Sequence, residues 1–262
     1  MDIRRYYAPV NEGPLDHMEE AGLCGILRTV ACVGDSLSSG ELESKNEEGN
    51  RGFHDYFDIS WGQFYARMTG CLVRNFSKGG MTAQNYVSSF AEKQGFWAPE
   101  LACQAYMIAL GVNDIVNLHQ EVGTTDDIDL SDWHNNKPTF AGYMGQIMSR
   151  YLEIQPKARF FLITMPKTDV DQPSAAAHRE LMYALAKLYP FTYVIDLYRY
   201  GPVYDAEYRR HFKLGGHLNS AGYLLTAKML ASYVDYIIRQ NYEDFIQIGF
   251  VGTEFHNVEA KW

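Results

Sequence analysis

Residues 28–41 read RTVACVGDSLSSGE, and this stretch decides the fold. Small and β-branched apolar residues run from Val30 to Val33, stop at Gly34, and give way to Asp35 and Ser36 where the chain must turn. A short unbroken apolar run bounded by a turn signal fits a strand buried on both faces, as in a parallel sheet. Ser36 then stands at the carboxyl end of that strand, where loops and helix N-termini of an open α/β sheet converge on ligands.

Downstream, apolar runs of strand length alternate with segments of helical period, the pattern of βαβ units. Strands are expected at 27–33, 72–76, 105–110, 159–164 and 191–197, and helices at 61–69, 82–93, 140–153, 174–188 and 220–239, the last with Asn219 as N-cap. These elements fill nearly the whole chain, so one domain over 1–262 is expected. An N-terminal arm covers 1–25, and the apolar extension 240–262 is expected to dock on the body. Segments 40–60 and 115–138 read as long loops, a length usually reserved for lids or mobile segments. The second holds Asp126, Asp127, Asp129 and Asp132, read as a solvated face because the spacing lacks the glycine and terminal glutamate of a calcium loop.

The totals narrow the function. The 262 residues are 47% hydrophobic, enough for a sizeable core, with a net charge of −9. A nucleic-acid partner would need clustered Lys and Arg, so none is expected. The charged N-terminus lacks the apolar core of a secretory signal, and no run approaches the roughly 18 apolar residues of a membrane span. A soluble cytoplasmic protein without a membrane partner is expected. Cys24, Cys32, Cys71 and Cys103 show no C-x-x-C spacing and read as reduced core residues. No Cys/His cluster has ligand spacing, so neither zinc nor another cofactor is expected.

The residues after each strand carry the chemistry: 34–37 (GDSL), 77–82 (SKGGMT), 111–114 (GVND) and, after a longer excursion, 215–219 (GGHLN). A serine hydroxyl is a weak nucleophile until a base takes its proton and donors face the developing oxyanion. Ser36 can supply the nucleophile and His217 the base. The oxyanion donors would be the backbone N–H groups of Ser36 and Gly80 and the side-chain amide of Asn113. In a 2-1-3-4-5 strand order, His217 has to cross about three strand spacings, roughly 14 Å, which the chain after the fifth strand spans easily.

These four blocks, in this order on matching loops, resemble the SGNH or GDSL hydrolase family. The blocks run from residue 34 to 223, where the last reads HLNSAGY. The resemblance implies an α/β fold, a flavodoxin-like three-layer α/β/α sandwich with a five-stranded parallel sheet, and ester hydrolysis through an acyl-serine intermediate. One position departs from the pattern: the family's Asp three residues before the histidine is Leu214 here. A backbone carbonyl is then expected to hold His217 Nδ1, giving a Ser-His dyad. Among nearby carboxylates, Asp196, Asp205 and Glu207, the alternative orienting acid is Asp196, which reads more readily as a cap at the end of the fifth strand. Asp35 reads as structural and His211 as a bystander.

The function expected is removal of a small, acetyl-type acyl group from a carbohydrate or similar polar alcohol, with a glycan or small-molecule ester as substrate. Phe53, Tyr56, Phe57, Phe96, Trp97 and Trp133 fall on or near the long loops, where rings could stack on a sugar or acyl chain, although core packing is the default for any one of them. The alternative is a ligand-binding module on the same scaffold that has lost turnover, motivated by Leu214. An electron-transfer or phosphoacceptor role has fold-level support alone, since Asp35 and Asp114 match a phosphoacceptor cluster imperfectly.

Overall fold

A computed structural model of the chain describes residues 12–16, 21–170 and 172–256. Strand β1 (Thr29–Gly34) is buried from Val30 onward, as its unbroken apolar sequence requires of a central strand. It is flanked by β4 (Leu72–Ser77) and β5 (Ala105–Ala109), and the sheet continues through β6 (Arg159–Ile163) and β7 (Thr192–Ile195). The order β4-β1-β5-β6-β7 is all parallel and, counted along the sheet strands alone, is the expected 2-1-3-4-5.

Side-chain alternation along the strands divides the core into two layers. Ala31, Val33, Tyr106, Ile108, Phe160 and Leu162 face one way, against the helical stretch α3 (83–93), α4 (Phe140–Ile154) and α5 (Pro173–Leu188). Val30, Cys32, Ala105, Met107, Phe161 and Ile195 face α2 (Trp61–Thr69) and the long terminal helix α8 (Ser220–Gln240). Helix starts follow their sequence signals: the side chains of Ser60, Thr139 and Asn219 accept from Gln63 N, Gly142 N and Gly222 N respectively. Each such cap contributes about 1 kcal/mol. All four cysteines are buried and unpaired.

The structure departs from the sequence reading at three places. Segment 40–60 is no open loop: Glu41–Lys45 (β2) and Arg51–Asp55 (β3) form an antiparallel hairpin. Helix α3 contains a π-helical turn, Tyr86–Phe90, which re-phases its face. In segment 115–138 the chain forms a π turn, Val112–Asn117, and two short 3-10 turns, Thr125–Asp127 and Trp133–Asn135. After α8, Phe245 and Ile248 are buried, and the Gln104 side chain donates to the Ile248 carbonyl at 2.8 Å. The arm at 1–25 lies largely outside the described residues, as do residues 257–262. No helix among the described residues is long and apolar enough to cross a membrane.

Candidate active site

The backbone at the end of β1 is held by close packing. A Cβ on Gly34 would lie 3.0 Å from the Ala109 carbonyl and collide with Ser38 Oγ, so glycine alone lets the turn sit against β5. Asp35 caps the next turn, α1 (Ser36–Ser39), by accepting from Leu37 N at 3.0 Å. It is thus structural in its contacts, and burial pushes its carboxyl up to about 7. Ser36 is the first residue of that turn. The Ser36 carbonyl accepts from Gly40 N, with the Ser39 and Tyr223 hydroxyls, which bond more closely elsewhere, at 3.2 and 3.5 Å, and the Ser36 hydroxyl has no partner among the described residues.

Ser36, Asn113 and His217 line one open cleft of about 560 Å³, together with Glu43, Arg51, Phe53, Asn117 and Lys213. Asn113 sits at the start of the turn after β5 and donates one amide hydrogen to the Met81 carbonyl at 3.0 Å. This ties it to the loop of Gly80, and its second amide hydrogen is available to a ligand. Gly80 has φ +72 with open space where a side chain would stand. Asp114, next to Asn113, is buried and accepts from Ala83 N at 2.8 Å, locking the same two loops together. From behind, buried His178 meets the Leu110 carbonyl at 3.0 Å through Nε2. Of the expected aromatics, Phe53 is the one at the cleft, edge-on to His217 with centroids 5.9 Å apart. Phe96 instead stacks on Phe76 and Trp133 on His134.

His217 follows a tight turn in which Lys213–Leu214 pairs antiparallel with His217–Leu218. Leu214 is exposed, and its side chain takes no part in orienting the ring. The expected backbone-carbonyl partner is not what the ring meets. His217 Nδ1 lies 2.8 Å from Glu43 Oε1 on the hairpin, and Nε2 lies 3.0 Å from Glu41 Oε1. Asp196, the alternative carboxylate, is also not the ring's partner: it is buried between Arg179 Nε (2.7 Å) and Tyr183 Oη (2.9 Å) and caps Leu197–Tyr200 through Arg199 N. Asp205 likewise caps its own helix, Ala206–Phe212, by accepting from Tyr208 N at 2.8 Å.

Glu41 and Glu43 share a face because strand side chains alternate. Glu43 is cradled from three sides, by Arg51, by Gly216 N at 2.5 Å and by the ring. Burial pushes its carboxyl up, but these hydrogen bonds outweigh it and hold the group down at about 2. The cradle also explains the two glycines before the histidine. A Cβ on Gly216 would lie 2.9 Å from Glu43 Oε1, one on Gly215 would overlap the carboxylate, and Gly215 has φ +68. Glu41 differs, since burial pushes its carboxyl up against the pull of His217. A neutral imidazole carries one N–H, so pairing with both carboxylates requires a further proton on the ring or on Glu41.

The hairpin is fixed in place by groups outside it. Tyr223 Oη donates to the Glu41 carbonyl at 2.7 Å, and Asp55 accepts from Ser39 Oγ and from Gly79 N at 3.2 Å. Sequence reasoning missed Glu43 because 40–60 lacks the apolar alternation that marks a half-buried strand. One signal was present: Gly49 within the five residues 46–50 (NEEGN), flanked by ELESK and RGFHD, is the composition of a hairpin with a longer turn.

No protein-family model matches the chain, and neither does any curated protein sequence. Solved structures do match. A family two carbohydrate esterase from Clostridium thermocellum is similar at 13% identity over 83% of this chain, with a TM-score of 0.55; the match spans 65% of that protein. A carbohydrate acetylesterase from Sinorhizobium meliloti, Est24, is 16% identical over 80% of this chain and 99% of its own, with a TM-score of 0.51. A GDSL-like protein of Parabacteroides merdae is 15% identical over 79% of this chain and 96% of its own, with a TM-score of 0.52. With its 2-1-3-4-5 parallel sheet and these structural neighbours, the chain has the fold of the SGNH/GDSL hydrolases.

Proposed function

We propose that the protein is a serine esterase that removes a small acyl group from a carbohydrate or similar polar alcohol. The observation that carries this reading is the convergence of an unpartnered serine hydroxyl, a carboxylate-clamped imidazole and a side-chain amide on one cleft. In the reaction, His217 Nε2 takes the Ser36 proton while Oγ bonds the ester carbonyl carbon. The oxyanion is held by Ser36 N, Gly80 N and the Asn113 amide. The C–O bond to the alcohol then breaks, and the alcohol leaves with the proton from Nε2. Water attacks the acyl-serine by the same relay, releasing the carboxylic acid and restoring Ser36.

Glu43 is the positioning carboxylate of this reading, fixing the ring through Nδ1 and stabilising the imidazolium that forms. Glu41 must yield Nε2 before the serine can use it. Structural similarity to carbohydrate esterases supports a glycan ester as substrate. The polar wall of Arg51, Asn117, Gln172 and Lys213 suits a hydroxyl-rich alcohol.

Hydrolysis of p-nitrophenyl acetate and labelling of Ser36 by a fluorophosphonate probe test the proposal, and both should vanish in Ser36→Ala. A second reading, a binding module without turnover, is favoured by Glu41 at Nε2. It would prevail if the unaltered protein bound acetylated sugars, hydrolysed none and left the probe unreacted.

A further inference from the structure

Two cations stand on the wall of the cleft, Arg51 and Lys213, and they meet at the residue before the histidine. The Lys213 ammonium donates to the Gly216 carbonyl at 3.3 Å, and Arg51 Nη2 lies 3.8 Å from where a Cβ on Gly216 would stand. Local structure brings both there. Lys213 pairs with Leu218 in the short ladder that turns through Gly215 and Gly216, and its side chain folds back over that turn. Arg51 and Phe53 are two apart on β3 and share the face that carries Glu43.

The two cations are not equivalent. Arg51 gives Nε and Nη2 to Glu43, whose carboxylate offsets its charge, and its guanidinium rests 5.4 Å from the centre of the Phe53 ring. Lys213 has no carboxylate partner among the described residues. Its one acceptor is a carbonyl, and the Tyr204 ring lies 5.8 Å from its nitrogen, so two of its three N–H groups are unspent. Burial and repulsion from Arg209 push the ammonium down.

The acids on the same wall are already engaged. Glu43 is held by Arg51, Gly216 N and the ring, and Asp35 is buried and turned to Leu37 N. His217 and Glu41 together carry no net charge, wherever their extra proton sits. What is left is one positive charge, half-buried in the cleft that holds Ser36 and His217. A cation partly removed from water without an anion costs free energy, which an anionic ligand would recover. Its position says which part of the substrate that anion belongs to. Nε2 hands its proton to the departing alcohol, so the alcohol lies against the ring, and the ammonium stands on that side through Gly216.

We propose that Lys213, assisted by Arg51 Nη1, binds a carboxylate on the alcohol part of the ester, so that the substrate is an acylated, hydroxyl-rich acid such as a sugar acid. The assignment rests on the reading of Ser36 and His217 as the catalytic pair. A single unspent positive charge matches a monoanion, whereas a phosphate monoester would bring close to two negative charges.

The test compares hydrolysis of 3- and 4-acetoxybenzoate with that of the matching acetoxybenzamides, which replace the carboxylate by a neutral group of the same shape. In the unaltered protein kcat/KM should favour at least one benzoate over its benzamide by about ten-fold or more, chiefly through KM. Added sodium chloride should narrow the ratio. Lys213→Gln should bring it to about one, Lys213→Arg should keep most of it, and Lys213→Glu should reverse it.

Equal kcat/KM for benzoates and benzamides, a preference for the benzamides, or a Lys213→Gln ratio equal to that of the parent would overturn the carboxylate assignment while leaving the esterase reading intact. Loss of both substrates together in Lys213→Gln and Lys213→Arg would assign the lysine to the fold of the turn and overturn it as well. If the unaltered protein cleaves neither these esters nor p-nitrophenyl acetate, and Ser36→Ala matches it, the esterase reading fails and the carboxylate assignment with it.

Discussion

The segments 40–60 and 115–138 have the same sequence character, long, acidic and weakly patterned, and the structure uses them in opposite ways. In the second, the carboxylates serve the segment itself. Asp127 bonds Lys137 and Thr139, Asp129 accepts from Ser131 and Asn135, and Asp132 caps His134. In the first, Glu41 and Glu43 reach beyond their own hairpin, where Glu43 also bonds Arg51, to a histidine more than 170 positions away. Acidity alone therefore says little about a loop. What matters is whether its carboxylates are consumed locally or projected by a regular strand onto another element.

Ser36→Ala carries the largest expected effect: ester turnover should fall about 10³-fold to 10⁶-fold, measured as kcat on p-nitrophenyl acetate. Retained turnover would remove the chemical meaning of the hairpin. Next comes Glu43→Gln, which keeps the size of the side chain and removes its charge. The expected loss is about 10²-fold to 10⁴-fold in kcat with little change in KM, as for an orienting carboxylate in another serine hydrolase. Glu43→Asp should recover part of that loss. A Glu43→Gln enzyme as fast as the parent would reduce the hairpin to a structural feature like the segment opposite.

Glu41→Gln separates the two hairpin glutamates. Because Glu41 competes with Ser36 for Nε2, its loss should speed fluorophosphonate labelling of Ser36 at pH 7 by about 2-fold to 10-fold. Slower labelling would make Glu41 a second supporting group instead of a competitor.

Stability gives a smaller readout. The Glu43 carboxyl is held at about 2, below its value in an unfolded chain, so its contribution is present above about pH 4.5 and is lost as pH falls toward 2. Glu43→Gln should lower Tm by about 3–6 °C at pH 7, with the difference from the parent shrinking below pH 4. A pH-independent difference would assign the effect to packing. Asp129 is also held low by its hydrogen bonds, yet these stay within its own segment. Asp129→Asn should therefore leave kcat within about two-fold of the parent, the smallest effect in the set.

Much of the scaffold was legible because burial writes itself into apolar spacing. The continuous apolar runs at 30–33 and 160–163 fit strands covered on both sides, and helix 61–69 carries both its serine cap and its terminal glycine. Ser36, Asn113 and His217 could be found because strand ends in a parallel sheet share one rim. The carboxylate that meets His217 Nδ1 could not. Leu214 signalled that the usual carboxylate was missing, and the nearest acids in sequence, Asp196 and Asp205, are consumed as helix caps.

From the sequence alone came the parallel sheet, the placement of serine, amide and imidazole at its carboxyl rim, and the absence of an aspartate beside the histidine. These follow from short-range rules: periodicity, capping and turn chemistry act over a few residues and leave a local trace. Tertiary structure alone decided that Glu43 takes Nδ1 and that Glu41 takes Nε2. Those contacts join residues with no sequence relation, and a polar two-stranded hairpin has no core of its own to pattern it. Its position is set by Tyr223, Ser39 and Gly79, which become neighbours only when the sheet has formed.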